Sequence, residues 1–138
     1  MVASERRTPD PAGRQLTALV EIDRQRIAEE FTAVVNMTAA ELRKWLRTAD
    51  SRRVGWKGRD ESLSESVGHR SGRLIAVILG KDPEALTDGD YAHMRKVIGF
   101  VRRHLAQEPA NAVTSRWRYA LMNWGHDPIK HRRSGGDG

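Results

Sequence analysis

The sequence predicts an all-α protein, a compact bundle of about five helices with a long basic loop between the second and third helices. Apolar residues recur at intervals of three and four along several segments, which is typical of amphipathic helices. Capping boxes mark the starts of two of these segments. No segment alternates apolar and polar residues as a half-buried strand does. The 138 residues suffice for one domain with a single hydrophobic core.

The first two helices have well-marked signals. The first is expected over residues 14–36, with a possible interruption near Asp23, and its apolar positions are Leu16, Leu19, Val20, Ile27, Phe31, Val34 and Val35. Thr38 and Glu41 predict a capping box at the start of the second helix, with Met37 and Leu42 as the accompanying hydrophobic staple. The apolar face of the second helix consists of Leu42, Trp45 and Leu46. Its opposite face is cationic and consists of Arg43, Lys44 and Arg47.

Three further helices follow. The segment 66–80 predicts a third helix, closed by Gly80 at the C′ position. Thr87 and Asp90 form a second capping box, and the fourth helix has a narrow apolar stripe made of Tyr91, Met94, Ile98, Val101 and Leu105. Pro109 ends this pattern, and a fifth helix is expected at about residues 114–125, with one side formed by Trp117, Leu121 and Trp124.

The two ends of the chain differ in composition from the middle. Residues 1–13 are expected to form a disordered leader and residues 131–138 a disordered tail, around a single helical domain at 14–130.

The chain has no cysteine, which excludes disulfides and thiolate zinc sites. No window is apolar enough for a membrane span, so we expect a cytoplasmic protein that does not bind membranes.

The charge of the chain favours a polyanionic partner. The formal net charge is +6, and the calculated isoelectric point is about 10.3. Residues 37–80 have a net charge of +4 and residues 110–138 a net charge of +3. A fold that brought these two regions together would create one basic face.

The predicted loop is the first candidate for contact with phosphate. Its candidate residues are Arg52, Arg53, Trp56, Lys57 and Arg59. Cations neutralise phosphates and release counterions, while an exposed indole can stack on a base or insert at a base step. The alternative interpretation is a solvated loop whose tryptophan folds back onto the core.

Two helical segments are further candidates. In "SVGHRSGRL", Arg70 and Arg73 would reach an anion held at a helix N-terminus. The same segment has Gly68, Gly72 and Ala76 at four-residue steps, which equally favours close packing of two helices, and the two roles are compatible. On the fourth helix, the basic residues outside the apolar stripe are Arg95, Lys96, Arg102 and Arg103. They would either follow a phosphate backbone or form an ordinary solvated face.

The histidines favour structural roles. In "WGHDP", His126 and Asp127 fit a helix terminus in which either side chain bonds the turning backbone, better than they fit a catalytic pair. No two histidines have a close metal-ligand spacing such as HxxxH. We therefore expect no metal, no cofactor and no catalytic residue.

Three phrases resemble a known group of proteins. They are "SVGHRSGR", "DYAHMRKVIGFVRRHLAQEP" and "SRWRYALMNWGHDP". Over roughly residues 25–130 the chain resembles a family of small bacterial and fungal proteins of unknown function that are often labelled DNA-binding. The resemblance implies a nucleic-acid role and names no catalytic residue.

These observations lead to three hypotheses of function. The first is a non-enzymatic protein that grips the phosphate backbone of double-stranded DNA with little sequence specificity, and would then be associated with the nucleoid. The second is an interaction module, in which the stripe of the fourth helix and the tryptophans of the fifth bind another helix or a second copy as a homodimer. The third is an enzyme that processes nucleic acid through His69 or His126.

Overall fold

The computed structural model describes residues 11–55 and 65–130, with side chains from residue 18 onward. Within these residues every regular element is helical, so the predicted all-α class is confirmed. The helices are α1 (Pro11–Val34), α2 (Ala39–Leu46), α3 (Ala49–Arg53), α4 (Val67–Leu79), α5 (Asp88–Leu105) and α6 (Arg116–Asn123). Short 3₁₀ turns at Pro83–Ala85 and Ala112–Thr114 precede α5 and α6. No described helix has the length and apolar character needed to cross a membrane.

Both predicted capping boxes are confirmed. The Thr38 hydroxyl accepts a hydrogen bond from the Glu41 amide at 3.1 Å, and the Glu41 carboxylate accepts one from the Thr38 amide at 2.8 Å. Thr87 and Asp90 repeat this reciprocal pair at the start of α5. Each box satisfies two backbone N–H groups that the helix itself leaves without a partner.

The prediction that Arg52 and Arg53 belong to a loop is wrong. Residues Ala49–Arg53 form α3, and the Thr48 hydroxyl caps this helix by accepting from the Ser51 amide at 3.1 Å. The buried residue of α3 is Ser51, so the helix has no apolar periodicity that the sequence could reveal. The predicted basic loop therefore begins with a helix that contains Arg52 and Arg53.

Two details of the predicted helix boundaries also change. The first helix begins at Pro11, ends at Val34 and runs without interruption past Asp23. Gly80 is not a left-handed C′ residue, because its φ is −88° and its N–H closes a right-handed turn onto Val77. The left-handed conformation occurs instead at Gly55 and Gly125, whose φ values are +100° and +84°.

The core is built from two helix pairs joined by α6. The helix α1 packs along α5, and α2 packs against α4, while α6 contacts α2, α3, α4 and α5. The completely buried apolar side chains are Leu42, Ile75, Val97, Val101 and Leu121. Most of the predicted α5 stripe belongs to this core, as do Trp117 of α6 and Trp124 just after it, so these side chains are used within the fold.

A buried polar network holds α3 in place. Asn123 of α6 is completely buried, and its Oδ1 accepts hydrogen bonds from Trp45 Nε1 at 2.7 Å and from Ser51 Oγ at 2.5 Å. Its Nδ2 donates to the Ser51 carbonyl at 3.0 Å. One amide therefore satisfies groups from α2 and α3 and fixes both helices relative to α6.

The "WGHDP" segment has the structural role that the sequence predicts. Asp127 exchanges two hydrogen bonds with Asn36, its carboxylate accepts from the Ile129 amide, and it forms a bidentate ion pair with Arg118. His126 Nδ1 lies 2.6 Å from the Val34 carbonyl. The turn after α6 is thereby fastened to the end of α1.

Candidate nucleic-acid interface

Two adjoining cavities form one cationic depression on the surface. The larger, of about 410 Å³, lies between α2, α3 and α4, and the smaller, of about 340 Å³, shares Arg52, His69 and Arg73 with it. We call the combined depression the basic groove. Its described lining is Arg43, Leu46, Arg47, Arg52, Glu65, His69, Arg73, Ala76 and Val77.

Helix geometry explains why the cations meet here. Arg43 and Arg47 are four residues apart and therefore share one face of α2. Arg52 comes from the last turn of α3, and Arg73 comes from the middle of α4. Four guanidinium groups from three helices line the groove, whose apolar surface is contributed by Leu46, Ala76 and Val77.

Three of these arginines are not neutralised by the described part of the chain. Arg43, Arg47 and Arg52 are exposed and make no ion pair with any described carboxylate. Guanidinium groups that share one depression repel each other, and an anion in the groove would relieve that repulsion.

The fourth arginine has a carboxylate partner. Arg73 donates to both oxygens of Glu65, from Nε at 2.6 Å and from Nη2 at 2.5 Å, and His69 Nδ1 lies 2.5 Å from the same carboxylate. The hydrogen bonds from Arg73 and then His69 hold the pKa of Glu65 down to about 2, against the opposing effect of burial. Glu65 is therefore fully ionised at neutral pH.

The glycines of α4 allow the close packing that forms the groove. A Cβ on Gly72 would lie 2.6 Å from the Asn123 carbonyl oxygen and 2.7 Å from Leu46 Cδ2, far closer than ordinary contact. A Cβ on Gly68 would lie 3.1 Å from Trp124 Nε1. At the N-terminus of α4, the completely buried Ser66 accepts from the His69 amide at 3.1 Å. Ser66 thus satisfies one of the free amides at this end of the helix, and Gly68 and Gly72 leave room for close packing.

Comparison with known proteins identifies the family. A family described as "Protein of unknown function (DUF3140)" matches residues 30–122, about two thirds of the chain. The chain belongs to the DUF3140 family. The matched segment includes every described residue of the basic groove. Neither a curated protein nor a solved structure matches the chain.

In this DUF3140 protein, the two described cations of the predicted loop lie at different sites. Arg52 lines the basic groove, whereas Arg53 pairs with Asp50 at 2.6 Å and lines a separate cavity of about 300 Å³ beside Arg116. Arg116 belongs to the basic C-terminal region, which meets the middle of the chain at this cavity and also where Lys130 bonds Glu41. The other loop candidates, Trp56, Lys57 and Arg59, lie outside the described residues.

The remaining predicted residues lie outside the groove lining. Arg70 is exposed on α4 but does not line either cavity of the groove. The cations of α5 do not line them either, and these are Arg95, Lys96, Arg102 and Arg103. All four are exposed, and Arg102 lies 3.4 Å from Glu30 of α1, which partly neutralises this face.

Arg43 and Arg47 were not predicted as site residues, because within α2 alone they form only a charged outer face. The sequence shows that these two arginines lie four residues apart. It does not show that α4 lies opposite them and completes the groove. Among the described residues of the DUF3140 protein, no group of three histidine, aspartate or glutamate side chains could hold a metal ion.

Proposed function

We propose that this DUF3140 protein binds double-stranded DNA non-enzymatically by gripping its phosphate backbone in the basic groove, with little sequence specificity. The observation that supports this most is the convergence of guanidinium groups from α2, α3 and α4 on one groove. Three of them, Arg43, Arg47 and Arg52, have no carboxylate partner among the described residues.

Arginine suits this role for physical reasons. Its guanidinium is permanently charged and offers a planar fork of N–H donors that matches two phosphate oxygens. Each neutralised phosphate releases condensed counterions, which is the dominant driving force of non-specific binding to DNA. Since α2 and α3 are both bonded to Asn123 of α6, Arg43, Arg47 and Arg52 extend from anchored helices.

The lining of the groove favours duplex backbone over base recognition. Single-stranded sites stack bases on aromatic side chains, and the only ring in the described lining is His69, whose two ring nitrogens already have partners. The described lining also contains no asparagine or glutamine amide to read an adenine edge. Phosphate contacts therefore account for most of the expected affinity.

The other two hypotheses have less support. A dimerisation module would use the apolar stripe of α5 with Trp117 and Trp124 as its interface, but most of these side chains pack within the core. An enzyme that uses His69 as a base needs a free ring nitrogen. Its Nδ1 faces Glu65 and its Nε2 faces the Leu46 carbonyl at 2.8 Å.

The test is fluorescence anisotropy of a labelled random duplex of about 30 base pairs at several salt concentrations. The groove variant replaces Arg43, Arg47 and Arg52 together by glutamine. If each arginine contacts one phosphate, the slope of log K against log salt should become shallower by up to about 2.7.

The matched control replaces Arg95, Lys96 and Arg103 by glutamine, which removes the same net charge from α5. The control should keep the steep slope of the unmodified protein. Failure of the unmodified protein to bind at low salt would contradict the proposal, and so would equal slopes for the groove variant and the unmodified protein.

A further inference from the structure

The basic groove already contains one anion, the carboxylate of Glu65. We propose that Arg73 and His69 form a phosphate-binding subsite and that Glu65 occupies this subsite in the free protein. The ligand is a phosphodiester group of the DNA backbone, so the inference rests on the proposed function. Binding would exchange the internal carboxylate for a backbone phosphate.

The donor geometry fits either anion. Arg73 presents Nε and Nη2 side by side to the two oxygens of Glu65, at 2.6 and 2.5 Å. This parallel fork is the arrangement with which arginine binds both carboxylates and phosphates. His69 Nδ1 adds a third nitrogen, 2.5 Å from Glu65 Oε2, so three nitrogens converge on two oxygens.

The second contact of His69 fixes the orientation of its ring. Its Nε2 lies 2.8 Å from the Leu46 carbonyl of α2. The ring is therefore held between the Leu46 carbonyl and the Glu65 carboxylate, with Nδ1 directed at the carboxylate. The subsite thus combines the Arg73 guanidinium with the fixed His69 ring, and Arg52 lines the same cavity.

Glu65 is placed so that it can leave. It precedes the cap residue Ser66 and is not part of α4, and its side chain is 26% exposed. Among the described residues, its carboxylate bonds only Arg73 and His69. Displacement of this side chain therefore breaks no packing of the core, and it frees donors that already face the groove.

The first test compares Glu65→Gln with the unmodified protein in the anisotropy assay. Loss of the competing carboxylate should tighten duplex binding by about tenfold, as expected for charge-assisted hydrogen bonds made to phosphate. The salt slope should change little, because Arg73 contacts the phosphate in both complexes and Glu65→Gln removes only the competing carboxylate. Thermal melts of the variant check that it folds.

Two further variants separate the subsite from a general charge effect. Glu84→Gln removes the same charge from the exposed 3₁₀ turn Pro83–Ala85, outside the groove, and should have a much smaller effect. Combining Glu65→Gln with Arg73→Gln should abolish the gain. Equal effects of Glu65→Gln and Glu84→Gln would overturn the subsite, and so would a gain that persists without Arg73.

The outcomes also separate the subsite from the proposed function. Binding that depends on Arg43, Arg47 and Arg52 but shows no gain specific to Glu65→Gln would overturn the subsite alone. An absence of duplex binding in every variant would overturn the proposed function and the subsite with it.

Discussion

Replacement of Gly72 by alanine should destabilise the protein, although alanine is the better helix former. An added Cβ would lie 2.6 Å from the Asn123 carbonyl oxygen and 2.7 Å from Leu46 Cδ2. The carbonyl belongs to the backbone of α6 and cannot rotate away as a side chain can. The helix α4 must therefore move away from α6 and α2, which loosens the packing on both sides of it.

The expected magnitude follows from two opposing effects. Overpacking a well-filled interior costs about 1–3 kcal/mol, and the change from glycine to alanine inside a helix returns up to about 1 kcal/mol. Gly99 of α5 provides the control, because its Cβ would meet only the far end of the Arg103 side chain, at 3.0 Å. Gly99→Ala should therefore show the helix-propensity gain alone.

The difference between the two variants isolates the steric effect. In urea denaturation followed by circular dichroism, Gly72→Ala should be less stable than Gly99→Ala by about 1–3 kcal/mol. For a chain of this length, thermal midpoints should differ by about 4 °C for each kcal/mol. Equal stability of the two variants would refute the reasoning, since it would mean that α4 does not contact α6 as closely as the structure shows.

Two further predictions concern the interior. Burial lowers the pKa of His93 and of His104 below the ordinary value of 6.5, so the unfolded chain binds protons that the folded protein does not. The free energy of unfolding should be greatest above pH 6.5 and should decline as the pH falls through the lowered folded-state pKa values. Urea denaturation at several pH values should show a weaker decline for His104→Phe. Asn123→Leu should cost roughly 3 kcal/mol in the same assay, because it leaves Trp45 Nε1 and Ser51 Oγ without an acceptor. A loss below about 1 kcal/mol would contradict the importance of this network.

The helices were predictable where their signals are local. A capping box needs only residues three positions apart, so Thr38 and Thr87 identify the starts of α2 and α5 without knowledge of the fold. Apolar spacing likewise identifies the buried face of α5. These signals work because the same residues decide both the local conformation and the face that is buried.

Other features depend on contacts between residues far apart in the chain. The helix α3 is tied down through Ser51, whose partner Asn123 lies 72 residues later in the sequence. The conformation of Gly80 could not be read from its residue type, because glycine adopts left-handed and right-handed conformations with similar ease. The groove itself needs α4 to lie across α2, and no short segment encodes that arrangement.

The glycine steps of α4 and the cations of the groove are parts of one arrangement. Because Gly72 has no Cβ, α4 can lie against Leu46, and the residues on either side of this contact then face α2. His69 reaches the Leu46 carbonyl from one turn before Gly72, and Arg73 follows Gly72 directly and meets Glu65 in the groove. Small residues at four-residue steps can therefore bring cationic side chains together through close helix packing. Close packing at Gly72 and the phosphate binding that we propose for the groove are therefore compatible, since the first brings together the side chains that the second requires.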